Sequence, residues 1–491
     1  MLRRLFLLFI FLSSFTAKAN FDFNANCIAA YNNIMDLKLN TARLLIAAEK
    51  KQNPQNSITV LLDNYVDYYY LFTSEDKSDF DRLKGNKAIR LARLEKEDIK
   101  SPYYLYSMAE INMQWAYLRG NFREYYTAGW EIKKASSLLQ QNAEKFPDFL
   151  PNQKCIAVVN VFIGSLPDGL KGLLGILGLR GNTQAGVRNL ESLVAKLPRS
   201  AYSHFYDETV YSLAIIQTDI LKDTLAFEHT IKNTNIIRNS SLLKTSIRAY
   251  VAVKTAHNSE AINVLENRPT GNIYQSYPYL DYLYGTANMH RLNRSAGIYF
   301  QAYLKEYNGI NYIKEAYLNL AWLALLSNDT ASYNSYISLV KTKGYSNHYK
   351  DEQALKEAND PIPNTDLLKA RLLFDGGFFD KALNLLEGKK IENFRILRDK
   401  LEFHYRLGRV YEALGKTELC IRYYQSTLAM GKNERYYFAA NSAISLGLIY
   451  EKRKDYAKAK SMYNTAIGLK NHDYEVGTEQ KAKDGLKRIA S

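Results

Sequence analysis

Near its C-terminal end the chain repeats itself at an offset of 39 residues. Leu407 to Ala429 reads LGRVYEALGKTELCIRYYQSTLA, and Leu446 to Leu469 reads LGLIYEKRKDYAKAKSMYNTAIGL. Both open L-G-x-x-Y. Both then place a small residue, an aromatic and a further residue in register: Cys420, Tyr424 and Thr427 against Ala459, Tyr463 and Ala466. A unit of this size has no core of its own and buries its apolar face only against its neighbours. Gly408 and Gly447 let a second helix approach closely, and Tyr411 and Tyr450 fill the space beside that approach. Cys420 and Ala459 are small because two helices touch there. Tyr424 and Tyr463 are expected to wedge against the next hairpin. Gly415 fits the turn, where a left-handed backbone costs glycine little.

The pattern resembles the tetratricopeptide repeat, a helix, a tight turn and an antiparallel helix. Weaker copies run upstream. Ala370 to Leu386 matches with Gly377 at the turn and Ala382 at the small position, and Ala249 to Leu265 places Ala249 and Ala261 correctly. Gly285 starts another copy, Tyr299 to Leu326 reads as helical but degenerate, and Met108 to Pro147 places Gly120 at a turn with Pro147 closing the second helix. Prolines punctuate the series, since proline ends helices. Strand signals are absent. The fold class expected is all-α, an α-solenoid of stacked antiparallel helix hairpins with a TPR-like superhelix. With 491 residues the chain is too long for one core. It divides into a leader (1–19), an N-terminal helical region (20–150), a glycine-leucine-rich module (151–240) and the repeats (241–491).

The opening MLRRLFLLFIFLSSFTAKAN has the form of an export signal: Arg3 and Arg4, an apolar run from Leu5 to Leu12, and Ala17-Lys18-Ala19 as a small-x-small cleavage site. The mature chain is expected to begin near Asn20, in a periplasm or secreted. No later window offers about 18 consecutive apolar residues for a transmembrane helix. Loss of Arg3, Arg4 and Lys18 with the leader lowers the formal charge from +15 to +12. Lysine and arginine alternate with aspartate and glutamate along the chain, with no basic block, so nucleic-acid binding is not expected. Cys27, Cys155 and Cys420 are too few for a disulfide framework, and no C-x-x-C exists for redox or zinc chemistry. Cys420 reads as a buried hydrophobe. Tyrosine, at 39 copies, is the compositional outlier and suits half-buried helix faces. Tyr68-Tyr69-Tyr70 and Tyr125-Tyr126 are read as helix packing.

Ser165 to Asn182, SLPDGLKGLLGILGLRGN, places glycine at every third position. Neither phosphate-loop pattern is present, and the run lacks the proline of a collagen. Leu170, Leu173, Leu174 and Leu177 share one helical face, with Gly172 and Gly175 beside it. Each glycine costs a helix about 1 kcal/mol relative to alanine, so close helix packing is the expected compensation. A lipid-facing surface helix is the alternative. Asn182 or Thr183 caps the helix that follows. The longer run Val159 to Leu193 resembles a segment of the tetratricopeptide-repeat-39-like family, which includes the fungal inclusion-body clearance proteins. Ser165, Leu166, Pro167, Gly178, Leu179, Gly181, Asn182, Gly186 and Leu190 carry the resemblance, with Leu179 where the family has phenylalanine. It implies a non-enzymatic helical repeat protein, in a family whose fungal members are associated with protein inclusions and lipid droplets.

No catalytic, cofactor-binding or metal site is expected. None of the seven histidines stands three or four residues from another. Asp375 beside Gly376-Gly377 reads as a repeat turn. Repeat arrays of this type bind extended segments along the first helix of each pair. The corresponding positions are Glu402, Tyr405, Arg409 and Glu412, then Asn441, Leu448 and Glu451. Tyr405 and Ile444, with Arg409 and Leu448, occupy the places where a chaperone-tail clamp would need lysine and asparagine, so that tail is excluded. The expected function is an exported scaffold for a protein partner. The alternative is a membrane- or lipid-associated factor working through residues 165–182.

Overall fold

The computed structural model describes residues 20–166, 175 and 178–490. The leader lies outside the described residues, as do Leu170, Leu173, Leu174, Leu177 and Gly172 of the glycine-leucine run. Among the described residues every regular element is a helix, and none is long and apolar enough to cross a membrane. Contacts separate the chain into two units.

The first unit takes the described residues up to Leu221, with Asn233–Lys244 and Pro269–Ser276. Its helices are α1 (Ala25–Met35), α2 (Leu39–Gln52), α3 (Ile58–Ser74), α4 (Lys77–Leu83), α5 (Asn86–Leu94), α6 (Pro102–Asn121), α7 (Tyr125–Lys145), α8 (Leu150–Ser165), α9 (Thr183–Lys196) and α10 (Tyr206–Ile215). The later segments dock on the end of α1. Arg238 bridges Asp36 and Asp207, and the Gln275 amide donates to Leu37 O at 2.7 Å.

The second unit takes Lys222–Lys232, Thr245–Arg268 and the described residues from Tyr277 onward. Its helices, two of which begin or end in the first unit, are α11 (Ala226–Thr234), α12 (Leu242–Lys254), α13 (Asn258–Glu266), α14 (Tyr279–His290), α15 (Ala296–Glu306), α16 (Ile313–Leu326), α17 (Thr330–Thr342), α18 (Tyr349–Glu357), α19 (Thr365–Asp375), α20 (Phe379–Leu386), α21 (Leu397–Ala413), α22 (Thr417–Gly431), α23 (Phe438–Lys452), α24 (Tyr456–Gly468) and α25 (Glu475–Ala490). Successive helices pack as pairs, as in α14 with α15, α16 with α17, α21 with α22 and α23 with α24. The all-α fold of stacked hairpins is the one expected from the repeat.

One turn geometry recurs in eight hairpins. Leu37, Arg123, Ala256, Leu292, Asn328, Gly377, Gly415 and Lys454 each hold a positive φ between two paired helices. In each, the amide of the next residue donates to the carbonyl five residues back, at 2.8–3.0 Å. This is the Schellman closure, which satisfies a carbonyl that the helix end would leave orphaned. Gly377 and Gly415 fall where the sequence placed them. Gly120 does not: α6 runs through it, and Arg123 makes the turn. Only the bond pattern of the helix end distinguishes those two positions.

Packing at the repeat glycines is close. A Cβ on Gly408 would lie 2.7 Å from the Tyr424 ring, and one on Gly447 would lie 2.5 Å from the Tyr463 ring. Tyr424 therefore fills the gap inside its own hairpin and not only against the next one. Tyr463 does both, since it also lies against Gly485 of α25. Between α8 and α9 the approach is backbone to backbone. A Cβ on Gly181 would meet Gly164 N at 2.5 Å, and one on Gly186 would meet Ala157 O at 2.6 Å. Packing thus accounts for Gly181, whereas a Cβ on exposed Gly175 would meet nothing. Asn182 caps α9, accepting from the Ala185 amide at 2.9 Å.

The tyrosine runs divide. Tyr69 is buried and Tyr70 donates to Asp79 at 2.6 Å. Tyr125 and Tyr126 are 64% and 81% exposed, which corrects the reading of that pair as packing. They occupy the first turn of α7, ahead of its buried positions at Glu131, Ala135, Leu138, Leu139 and Asn142.

Two predictions follow from this packing. Gly447→Ala is expected to cost about 1–3 kcal/mol by overpacking Tyr463. Gly129→Ala, in the second turn of α7 where a Cβ meets nothing, is expected to stabilise by about 0.5–1 kcal/mol. Melting curves of the two variants against the parent chain check both. A separate prediction concerns His204, whose ring lies 4.4 Å from those of Phe23 and Phe205 with Nε2 buried and unpartnered. Burial lowers its pKa to about 4. The unfolded chain, with a histidine pKa of about 6.5, takes up this proton first. The stability is therefore full above pH 6.5 and is lost as pH falls toward 4, by about 3 kcal/mol in all. Urea unfolding across that range is expected to show the slope, and His204→Phe to remove this part of it.

Candidate functional site

The second unit encloses a cavity of about 470 Å³. Its walls come mainly from the first helices of successive hairpins: α12, α14, α16, α19 and α21, with α18 beside them. Polar and aromatic residues of these helices line the space, together with Val253, Leu283, Met289, Leu318 and Leu372. Tyr282 donates to Glu315 at 2.5 Å, and Lys350 reaches the other oxygen of that carboxylate at 3.0 Å. Burial would raise the Glu315 carboxyl, but Lys350 and the tyrosine outweigh it and hold the group below its ordinary value. Arg371 forms a two-bond fork with Glu357, both bonds at 3.0 Å, and lies 5.0 Å over the Trp322 ring. Burial likewise opposes ionisation of Asp375, yet Arg371 and the neighbouring cations keep it low. His290 has its pKa lowered as well, to about 4, but here chiefly by burial, which disfavours the charged ring. It is a neutral ring at physiological pH.

The positions named from sequence scatter around this cavity. Arg409 lines it, 4.4 Å over Phe374, and donates to the Tyr405 hydroxyl at 3.4 Å. Tyr405 itself is buried against Tyr437 and Phe438. Glu402 is buried and paired with Arg406 at 2.9 Å. Glu412 and Glu451 accept from the packing tyrosines Tyr424 and Tyr463, one repeat apart. Asn441 is half-buried and Leu448 is 44% exposed; neither lines the cavity. Asp375 ends its helix at the turn, as the repeat requires, and also lines the cavity. Tyr282, Glu315, Lys350 and Arg371 had no signal at the level of motif, because they converge from four helices whose repeats are degenerate in sequence.

The first unit holds a second charged cluster. Lys154 of α8 contacts Glu208 of α10 at 2.6 Å and Glu110 of α6 at 3.4 Å. Tyr31 and Tyr65 donate to Glu208 at 2.6 and 3.1 Å, and the Cys155 thiol donates to Glu110 at 2.7 Å. Burial raises Glu208, while Lys154 and the donors around Glu110 overcome the same effect and hold that group low. The Cys155 thiol is pushed well up by burial and by Glu110, so it is not poised as a nucleophile. Cys27, Cys155 and Cys420 are all buried free thiols. Among the described residues no group of three or more His, Cys, Asp or Glu is arranged to hold a metal ion.

A family model of the tetratricopeptide repeat matches residues 400–471, the stretch from α21 to α24. This stretch is similar to tetratricopeptide repeats. The match covers the two best-conforming hairpins, including Arg409 at the cavity wall. No curated protein matches the chain.

Lys154 is the only cation among the charged members of the buried cluster just described. Lys154→Met is expected to cost about 3–5 kcal/mol, because it strands two carboxylates in a buried site. Urea unfolding of the variant and of the triple variant Lys154→Met, Glu110→Gln, Glu208→Gln checks this, with the triple variant recovering part of the loss.

Proposed function

We propose that the chain is an exported, non-enzymatic tetratricopeptide scaffold that binds a protein partner along the first helices of its hairpins. The observation that carries this reading is the common lining of the cavity. Five hairpins direct polar and aromatic side chains of their first helices into one space, while their apolar residues hold the stack together. Tetratricopeptide repeats at 400–471 support an interaction role, since such arrays offer extended surfaces to protein segments. The leader, with its arginine pair, apolar run and A-K-A site, supports export. No residue set with the geometry of an acid–base pair or an activated nucleophile is needed for such a role.

Mature 20–491, crosslinked in its native compartment and read by mass spectrometry, is expected to yield one reproducible protein partner. Leu448→Asp, on an exposed position of α23, together with Arg409→Gln is expected to lower its recovery about ten-fold with unchanged helical content. Recovery of the same partner at parental levels would place the interface elsewhere, and recovery of no partner would remove the scaffold reading.

A further inference from the structure

The cavity of the second unit carries a charge imbalance that its own side chains do not resolve. Lys254, Lys350, Arg371 and Arg409 line it, against Glu315, Glu357 and Asp375. Lys350 is engaged by Glu315 and Arg371 by Glu357, with Asp375 also 4.0 Å from Arg371 Nε. Arg409 and Lys254 form no ion pair among the described residues. Arg409 donates to the Tyr405 hydroxyl alone, and Lys254 to the Tyr349 hydroxyl alone, at 3.0 Å. A guanidinium has five N–H donors, so Arg409 keeps donor capacity beyond its bond to Tyr405.

Both cations line the cavity, on helices joined through one packed turn. Gly377 packs so tightly on the residue-256 turn that a Cβ there would lie 2.0 Å from Ala256 O. Lys254 stands two residues before that alanine. Phe374, three residues before Gly377, carries Arg409 on its face at 4.4 Å. The guanidinium is thereby oriented in advance, which lowers the entropy cost of using it. His290 adds a buried Nδ1 with no hydrogen-bond partner on the lining of the same cavity. The rest of the lining is rich in aromatic rings, and the volume falls in the range of about 300–1,000 Å³ usual for small-molecule sites.

We propose that this cavity binds a small organic monoanion, a carboxylate on an aromatic or apolar body, with the carboxylate held by Arg409 and Lys254. One negative charge matches the one cation in excess. A polyanion would also face Glu315, Glu357 and Asp375. Because the walls come from several hairpins, such a ligand ties their first helices together. The inference stands apart from the scaffold reading: it needs no protein partner, and either can fail alone.

The test is calorimetric titration of mature 20–491 with 3-phenylpropanoate and with its neutral amide. Saturable binding of the acid is expected, with the amide about ten-fold weaker for loss of the charge-assisted bonds. Arg409→Gln and Lys254→Gln are each expected to weaken the acid several-fold and leave the amide unchanged. Lys254 is exposed, so its variant reads binding even if loss of Arg409 disturbs packing. Equal affinity for acid and amide, no binding of the acid, or acid binding unchanged in both variants would each overturn the proposal.

Discussion

Eight described hairpins each depend on one residue held in a left-handed backbone, where the next amide closes a hydrogen bond to a carbonyl five residues earlier. In six of the eight described cases that residue is not glycine. A left-handed conformation costs an ordinary residue about 1–2 kcal/mol, and it persists because the surroundings over-determine it. The bond satisfies a helix-terminal carbonyl that would otherwise be orphaned. The reversal also sets the register in which the second helix returns. That register brings Tyr424 onto Gly408 and Tyr463 onto Gly447 within van der Waals limits that no side chain could meet.

A second rule recurs, in which the hydroxyls of packed tyrosines donate to carboxylates. Tyr31 and Tyr65 serve Glu208, Tyr282 serves Glu315, Tyr424 serves Glu412 and Tyr463 serves Glu451. The ring fills the space between helices while the hydroxyl satisfies a charge that would be expensive to bury alone. This gives the abundant tyrosines a structural role in both units.

The two charged clusters look alike in composition and differ in use. In the first unit Lys154, Glu110, Glu208 and Cys155 complete one another, and the group ties helices α1, α3, α6, α8 and α10. In the second unit two ion pairs are closed and two cations stay open on a cavity wall. A cluster whose charged groups are all ion-paired or hydrogen-bonded within it holds a fold together; one that leaves a guanidinium without a carboxylate partner has capacity for a ligand.

The repeat L-G-x-x-Y, with its small and aromatic positions, determined the helix hairpin, the close approach at Gly408 and Gly447 and the turns at Gly377 and Gly415. Those features are local: each lies within one hairpin, so spacing along the chain reports them. Gly120 misled because a glycine near a helix end is compatible with either the last helical turn or the cap, and the closing bond to Arg119 O decides between them. Tyr125 and Tyr126 misled because pattern alone does not show that the first turn of α7 lies ahead of its buried positions. Only the tertiary structure decided the division into two units, in which segments 233–244 and 269–276 return to the end of α1. It alone brought Tyr282, Glu315, Lys350, Arg371 and Arg409 to one cavity. The physical reason is the same in both cases. Side chains on successive first helices stand tens of residues apart in sequence, and only the stacking of the hairpins determines which of them meet.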